Sequence, residues 1–144
     1  MRLTLYTDYA LRMLIHLGIQ RDGRLVTVGE IATAYGISKN HLTKVAHQLG
    51  LAGYVETVRG KNGGLRLAKD PTKINLGEIV RTTETELALV PCFDKLDRSC
   101  VIAPACGLRG ALYQAQKAFL DVLDRYSLAD LTKSQKSLRS LLAL

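Results

Sequence analysis

The stretch that decides the fold runs from Val26 to Ala68: VTVGEIATAYGISKNHLTKVAHQLGLAGYVETVRGKNGGLRLA. Thr27 stands three residues before Glu30, the spacing at which the two side chains cap one helix start reciprocally. The short helix VGEIATAYG follows, with Ile31, Ala32 and Tyr35 as its small and apolar faces and Gly36 as its stop. Ser38 opens a second helix, KNHLTKVAHQLGLAG, which carries Leu42, Val45, Ala46 and Leu49 on one side. The period then changes. Residues 54–58 and 65–67 read as two strands, joined by the glycine-rich, basic tip Arg59-Gly60-Lys61-Asn62-Gly63-Gly64. Two short helices across a glycine turn, followed at once by a basic hairpin, have the order of a winged helix-turn-helix.

Upstream, residues 3–20 place Leu3, Leu11, Leu14, Ile15 and Leu17 at helical spacing and end in the breaker RDGR. Downstream, Pro71 marks the exit from the wing and Asn75 caps a further helix, LGEIVRTTE. Residues 85–105 have no sustained period and contain Pro91 and Pro104, so they read as a loop. A long helix begins near Gly107. Its apolar positions Leu108, Leu112, Ala115, Phe119, Val122 and Tyr126 form a heptad seam, the pattern of a helix that pairs with a second copy. Ser127 and Asp130 start a last helical stretch. The expected fold is mainly α with a small β wing: a winged helix-turn-helix DNA-binding domain over residues 1–75, then residues 76–144 with a linker helix, a cysteine loop (about 85–106) and a dimerisation helix.

The chain has 144 residues and a net charge of +7, unevenly placed. Residues 1–75 carry eleven basic against five acidic side chains, and residues 76–144 carry nine against eight. A basic N-terminal half suits a polyanion, nucleic acid above all. No apolar run approaches the ~20 residues that span a bilayer, and residues 1–20 lack the pattern of a secretory leader, since Asp8 and Arg12 interrupt them. A cytoplasmic protein with no membrane partner is expected, in a compartment that keeps thiols reduced.

The second helix of the motif presents Ser38, Lys39, Asn40, His41 and Lys44 near its start, the part of a recognition helix that faces base edges in the major groove. Asn40 and His41 suit bases, whereas Ser38 and Lys39 suit phosphates beside the helix N-terminus. Arg59 and Lys61 flank the wing-tip glycine, and an arginine there fits a narrow A·T-rich minor groove or a phosphate. Arg2 adds a backbone contact. The expected partner is double-stranded DNA, as a palindromic and A·T-rich operator read by a homodimer.

All three cysteines lie in the loop, in PCFDKLDRSCVIAPACGLRG, as Cys92, Cys100 and Cys106 with the spacing C-x7-C-x5-C. Thiolates so placed suit an iron–sulfur cluster. Zinc accepts three thiolates with one N or O ligand, but the usual C-x2-4-C knuckle is missing. A thiol switch without metal and three unconnected structural cysteines also satisfy this spacing. An enzyme with a cysteine nucleophile is disfavoured, because no Cys/His pair lies in a recognisable motif.

Taken together, MRLTLYTDYALRMLIHL, the segment from Val26 to Ala68, and CVIAPACGLRGALYQAQKAFLDVLDRYSLADL resemble the NsrR/IscR family of iron–sulfur winged-helix regulators over nearly the whole chain. The third segment is most similar to the NsrR branch. The resemblance implies a DNA-binding repressor, not an enzyme. It would sense nitric oxide through a cluster on Cys92, Cys100 and Cys106, with 4Fe–4S favoured over 2Fe–2S, and would control nitric-oxide stress genes. An iron- or redox-sensing regulator on the same scaffold is the alternative, and an interaction protein bound to a metabolic enzyme and lacking a cluster is a further rival. IscR-like members use a histidine three residues after the third cysteine; here that position is Arg109, which argues against their role. The fourth ligand is then expected to be Asp8, supplied in trans from the first helix of the other subunit, where its charge also suits the helix dipole. Asp94, Asp97 or a non-protein ligand are the alternatives.

Overall fold

Helix α1 (Leu5–Gly18) begins where Thr4 Oγ1 accepts the backbone N–H of Thr7 at 3.3 Å. It buries Ala10, Met13, Leu14 and Leu17, an i, i+3, i+4, i+7 face that makes it the central rod of the core. The computed structural model describes residues 2–20, 23–94, 96–97 and 99–144. Arg21 and Asp22, the first half of the expected breaker, lie outside the described residues.

Helix α2 (Val28–Tyr35) starts with the expected capping box: Thr27 Oγ1 accepts from Glu30 N at 3.2 Å, and Glu30 Oε2 accepts from Thr27 N at 2.7 Å. It stops at Gly36, whose φ of 63° is left-handed, and the N–H of Ile37 closes the turn on the Ala32 carbonyl at 3.0 Å. Helix α3 (Lys39–Leu51) buries Leu42, Val45, Ala46 and Leu49 against α1 and α2. Full burial of each Leu or Val side chain contributes about 1.5–3 kcal/mol.

Strands β1 (Val55–Val58) and β2 (Gly64–Leu67) pair antiparallel, with Val55 opposite Leu67 and Glu56 opposite Arg66. The tip turns through Gly60 at a φ of 118°. A Cβ at Gly63 would lie 2.2 Å from the Val58 carbonyl oxygen, so only glycine fits there. One feature has no sign in the sequence: Val26 exchanges two backbone hydrogen bonds with Leu65, at 3.0 and 2.7 Å, and so adds a one-residue third strand.

Helix α4 (Leu76–Thr83) is capped by Asn75 Oδ1, which accepts from Glu78 N at 3.0 Å. A turn-rich segment with single 3-10 turns at Pro91–Phe93 and Ala103–Ala105 leads to α5 (Gly107–Leu123). Two short helices close the chain where one stretch was expected. Helix α6 (Leu128–Leu131) starts with a Ser127/Asp130 capping box, and α7 (Gln135–Leu141) is tied back by Arg139, which donates to the Ile19 carbonyl at 2.9 Å. The hydrophobic core draws on both sides of residue 75, because Ile79 of α4 and Leu128 of α6 join α1, α2, α3 and the wing in one cluster. Among the described residues no helix is long and apolar enough to cross a membrane.

Candidate nucleic-acid interface and cysteine loop

The core that buries one face of α3 leaves the other to solvent. Ser38, Lys39, Asn40, His41 and Lys44 are all exposed. Ser38 occupies the N-cap position, yet its hydroxyl makes no capping bond and is free for an outside acceptor. Tyr9 of α1 stacks on His41 with ring centroids 6.3 Å apart, which gives that imidazole a fixed backing. Arg59 and Lys61 are exposed at the wing tip. Among the described residues, no ion pair engages Lys39, Lys44, Arg59 or Lys61. Arg66, by contrast, is held by Glu56 through two hydrogen bonds at 2.9 and 3.1 Å across the wing. These four cations stand at the start of α3 and at the wing tip. Arg2 lies apart, lining a cleft with Glu84, Glu86, Leu87 and Phe119, none of which belongs to α3 or the wing.

The cysteine loop leaves α4 at Glu84. Its carboxylate accepts from the backbone N–H of Thr4 at 2.7 Å and from the Thr4 hydroxyl at 3.1 Å, which fastens the start of the loop to the start of α1. Burial alone would push the Glu84 pKa up, but hydrogen bonds from Thr7 and Thr4 outweigh it and hold the carboxyl below its usual value. Further along, Phe93 packs edge-on to Tyr113 of α5 at 6.2 Å, and Gln116 of α5 donates to the Leu87 carbonyl. Leu96 is 87% exposed, Val101 94% and Ile102 66%.

Cys92, Cys100 and Cys106 carry free thiols; Cys100 is exposed and the others half-buried. Cys106 sits at the N-cap position of α5 beside an open apolar cavity that Phe93, Pro104, Arg109 and Tyr113 also line. The donor chemistry, three soft sulfurs, suits an iron–sulfur group. The chain alone does not assemble them: among the described residues, no three His, Cys, Asp or Glu side chains converge as a metal cage. The candidate fourth ligands are engaged locally. Asp8 pairs with Arg12 at 2.9 Å, Asp94 accepts from Leu96 N at 2.8 Å, and Asp97 accepts from Ser99 N at 2.7 Å. Arg12 also lies over the Tyr35 ring at 5.8 Å.

Helix α5 contains no buried side chain. Of the expected seam, Leu108 (66%) and Val122 are exposed and Leu112 and Phe119 half-covered, whereas Tyr126, the last expected position, lies in the turn beyond the helix end at Leu123.

Residues 3–134 match the family model Rrf2, described as an iron-dependent transcriptional regulator. The chain is 51% identical over 144 residues to the HTH-type transcriptional regulator NsrR of Bacillus subtilis, covering 100% of this chain and 99% of that one. It is 49% identical over 142 residues to the NsrR of Shouchella clausii, covering 99% and 95%. Among solved structures, CymR, the global cysteine regulator of B. subtilis, is similar at a TM-score of 0.75 and 25% identity, over 93% of this chain and 98% of that one. The IscR of T. potens is similar at 0.73 and 25% identity, over 93% and 88%. These relatives are regulators rather than enzymes, and their fold is the winged helix seen here. With a family match over most of its length and relatives near half identity, this chain belongs to the Rrf2 family of transcriptional regulators.

Proposed function

We propose that this protein is a dimeric, cytoplasmic repressor that senses nitric oxide through an iron–sulfur cluster. The observation that carries the reading is the pairing of two features in one chain. A reading face of unpaired cations stands on a single core, and three reduced thiols lie on a turn-rich loop that runs directly into a helix with no buried side chain. Similarity to regulators named NsrR supports nitric oxide as the signal.

The α5 seam would pair two chains. Each copy would then present α3 to a major groove, with Asn40 and His41 toward bases, Ser38, Lys39 and Lys44 toward phosphates, and Arg59 and Lys61 toward the adjacent minor groove of a palindromic, A·T-rich operator. Cys92, Cys100 and Cys106 would hold the cluster, with Asp8 of the second chain as the fourth ligand after exchange of its Arg12 partner. A 4Fe–4S cluster is preferred over 2Fe–2S on this resemblance. Held by these thiolates, such a cluster would supply iron able to react with nitric oxide. The protein's own part would be to tie the loop to α1 through Glu84 and to α5 through Phe93, so that order in the loop is felt at both helices.

The test is anaerobic purification followed by an absorbance spectrum, iron and sulfide counts, and operator binding before and after nitric oxide. A cluster spectrum whose loss on nitric oxide lowers operator affinity supports the reading. Loss of binding on chelator or oxygen but not on nitric oxide would make the protein an iron or redox sensor. Tight binding by a colourless protein would make it a cluster-free regulator. Asp8→Ala, Asp94→Ala and Asp97→Ala, reconstituted side by side, identify the fourth ligand by which variant changes the spectrum.

A further inference from the structure

Helix α5 seats no fully buried side chain in the core. Besides the mid-helix contacts of Tyr113 with Phe93 and of Gln116 with Leu87, a set of polar contacts holds its C-terminal end. The Asp124 carboxylate lies flush on the backbone of Gly77, where an added Cβ would sit 1.9 Å from Oδ1. Arg81 of α4 grips the same carboxylate with both terminal nitrogens, at 2.6 and 2.7 Å. Asn75 Nδ2 donates to the Asp124 carbonyl at 2.7 Å. Two backbone bonds finish the splice: Leu76 N–H to the Tyr126 carbonyl at 2.9 Å and Leu128 N–H to the Ile74 carbonyl at 2.8 Å. Beyond the splice, α6 drops Leu128 into the core.

We propose that Gly77, Arg81 and Asp124 are positioning residues that fix the angle between α5 and the reading head, and thereby the half-site spacing that the dimer accepts. This rests on the reading of α5 as the dimer seam and of α3 and the wing as the DNA-reading face. An exposed ion pair adds little to stability. A bidentate pair held over a glycine, however, fixes direction as well as distance. The lever is long: 17 residues at ~1.5 Å each make a helix of ~25 Å. A hinge of ~10° at its base moves the far end by ~4 Å, close to the ~3.4 Å step of one base pair.

The experiment uses the full-length, anaerobically purified protein and a palindromic duplex that the wild-type protein selects from a random pool. Half-site separation is then varied by one and two base pairs either way, and a single half-site serves as reference. Wild-type affinity should fall roughly tenfold or more away from the selected spacing. Gly77→Ala, which forces the carboxylate off its seat, and Asp124→Ala, which leaves the glycine free and the arginine without a partner, should both flatten that preference to within about threefold. Half-site affinity, dimer mass and cluster spectrum should stay as in the wild type. Variants that keep the wild-type spacing preference overturn the proposal. So do variants that lose half-site binding together with it, since the joint is then a folding element only. A wild-type protein that is monomeric, or indifferent to spacing, refutes the dimer reading itself.

Discussion

His16 is fully buried on α1, edge-on to Tyr35 at 5.9 Å, and neither ring nitrogen has a hydrogen-bond partner among the described residues. Burial pushes its pKa below the usual value; Glu30 pulls the other way and Arg24 adds to the depression. The folded protein therefore holds a neutral imidazole that the unfolded chain protonates below about pH 6.5. Stability from this site is complete above that pH and falls as pH drops below it. His16→Leu should narrow the loss of melting temperature between pH 7 and 5, and should be more stable at pH 5.5 by about 1–3 kcal/mol, the usual cost of an unpaired buried polar group. Parallel melting-versus-pH curves for the two proteins would refute this. Below about pH 4.5 the depressed carboxylates Glu30, Glu84 and Asp124 add their own loss, so the histidine effect is read above that range. On the reading face, Asn40→Ala or His41→Ala should change base preference by about 1–3 kcal/mol per good contact. If neither variant changes the selected sequence, α3 does not read bases through these residues. Tyr9→Leu, which removes the ring behind His41, should mimic His41→Ala more weakly.

Local signals were the legible ones, and each helix start shows why. Thr27 with Glu30, Ser127 with Asp130, and Asn75 are capping patterns whose partners lie three residues away, so sequence alone contains both members. Thr27→Ala should destabilise the fold by about 1 kcal/mol in thermal or denaturant unfolding. Gly36 was legible for the same reason, as was the wing, whose glycines answer to the turn itself. Contacts made across the chain were not legible. Val26 joins the wing as a one-residue strand because Gly64 leaves room for its backbone, a Cβ there lying 3.0 Å from Val26 N. Leu128 enters a core sixty residues or more away from most of its partners in sequence. The cysteines lie between these extremes. Their spacing alone admits a cluster, zinc or a thiol switch, and among the described residues no three candidate ligands converge to choose between them. For α5, the heptad spacing is a sequence expectation, and the exposure of Leu108 and Val122 leaves that side of the helix uncovered in the single chain. Leu112→Asp or Phe119→Asp should turn the proposed dimer into monomers in sedimentation, since a charge would enter the seam. A dimer that survives both changes would mean that the seam lies elsewhere.

At the scale of the whole molecule, charge sets the conditions of binding. A net +7, concentrated in the N-terminal half, predicts operator affinity that falls steeply with salt; with six to ten phosphate contacts, about 10³–10⁵ is lost between 50 and 200 mM. Lys39→Ala and Lys61→Ala should each lower the slope of log affinity against log salt by about 1, and an unchanged slope would remove that lysine from the phosphate contacts. The core is buried within one chain, while the exposed side chains of the proposed DNA-reading face contribute nothing to it. That separation has a consequence for how such regulators diverge. After gene duplication, one copy can take on a new operator by changing a few side chains between Ser38 and Lys44, with no loss of foldedness to slow the drift. Under the proposed pairing through α5, the seam does not change with it, so the two products would keep pairing and mixed dimers, bearing two different half-site readers, would bind hybrid operators. Paralogues in one cell become independent circuits only once their α5 helices have diverged as well, which makes that helix, more than the recognition helix, the place where regulatory insulation is written.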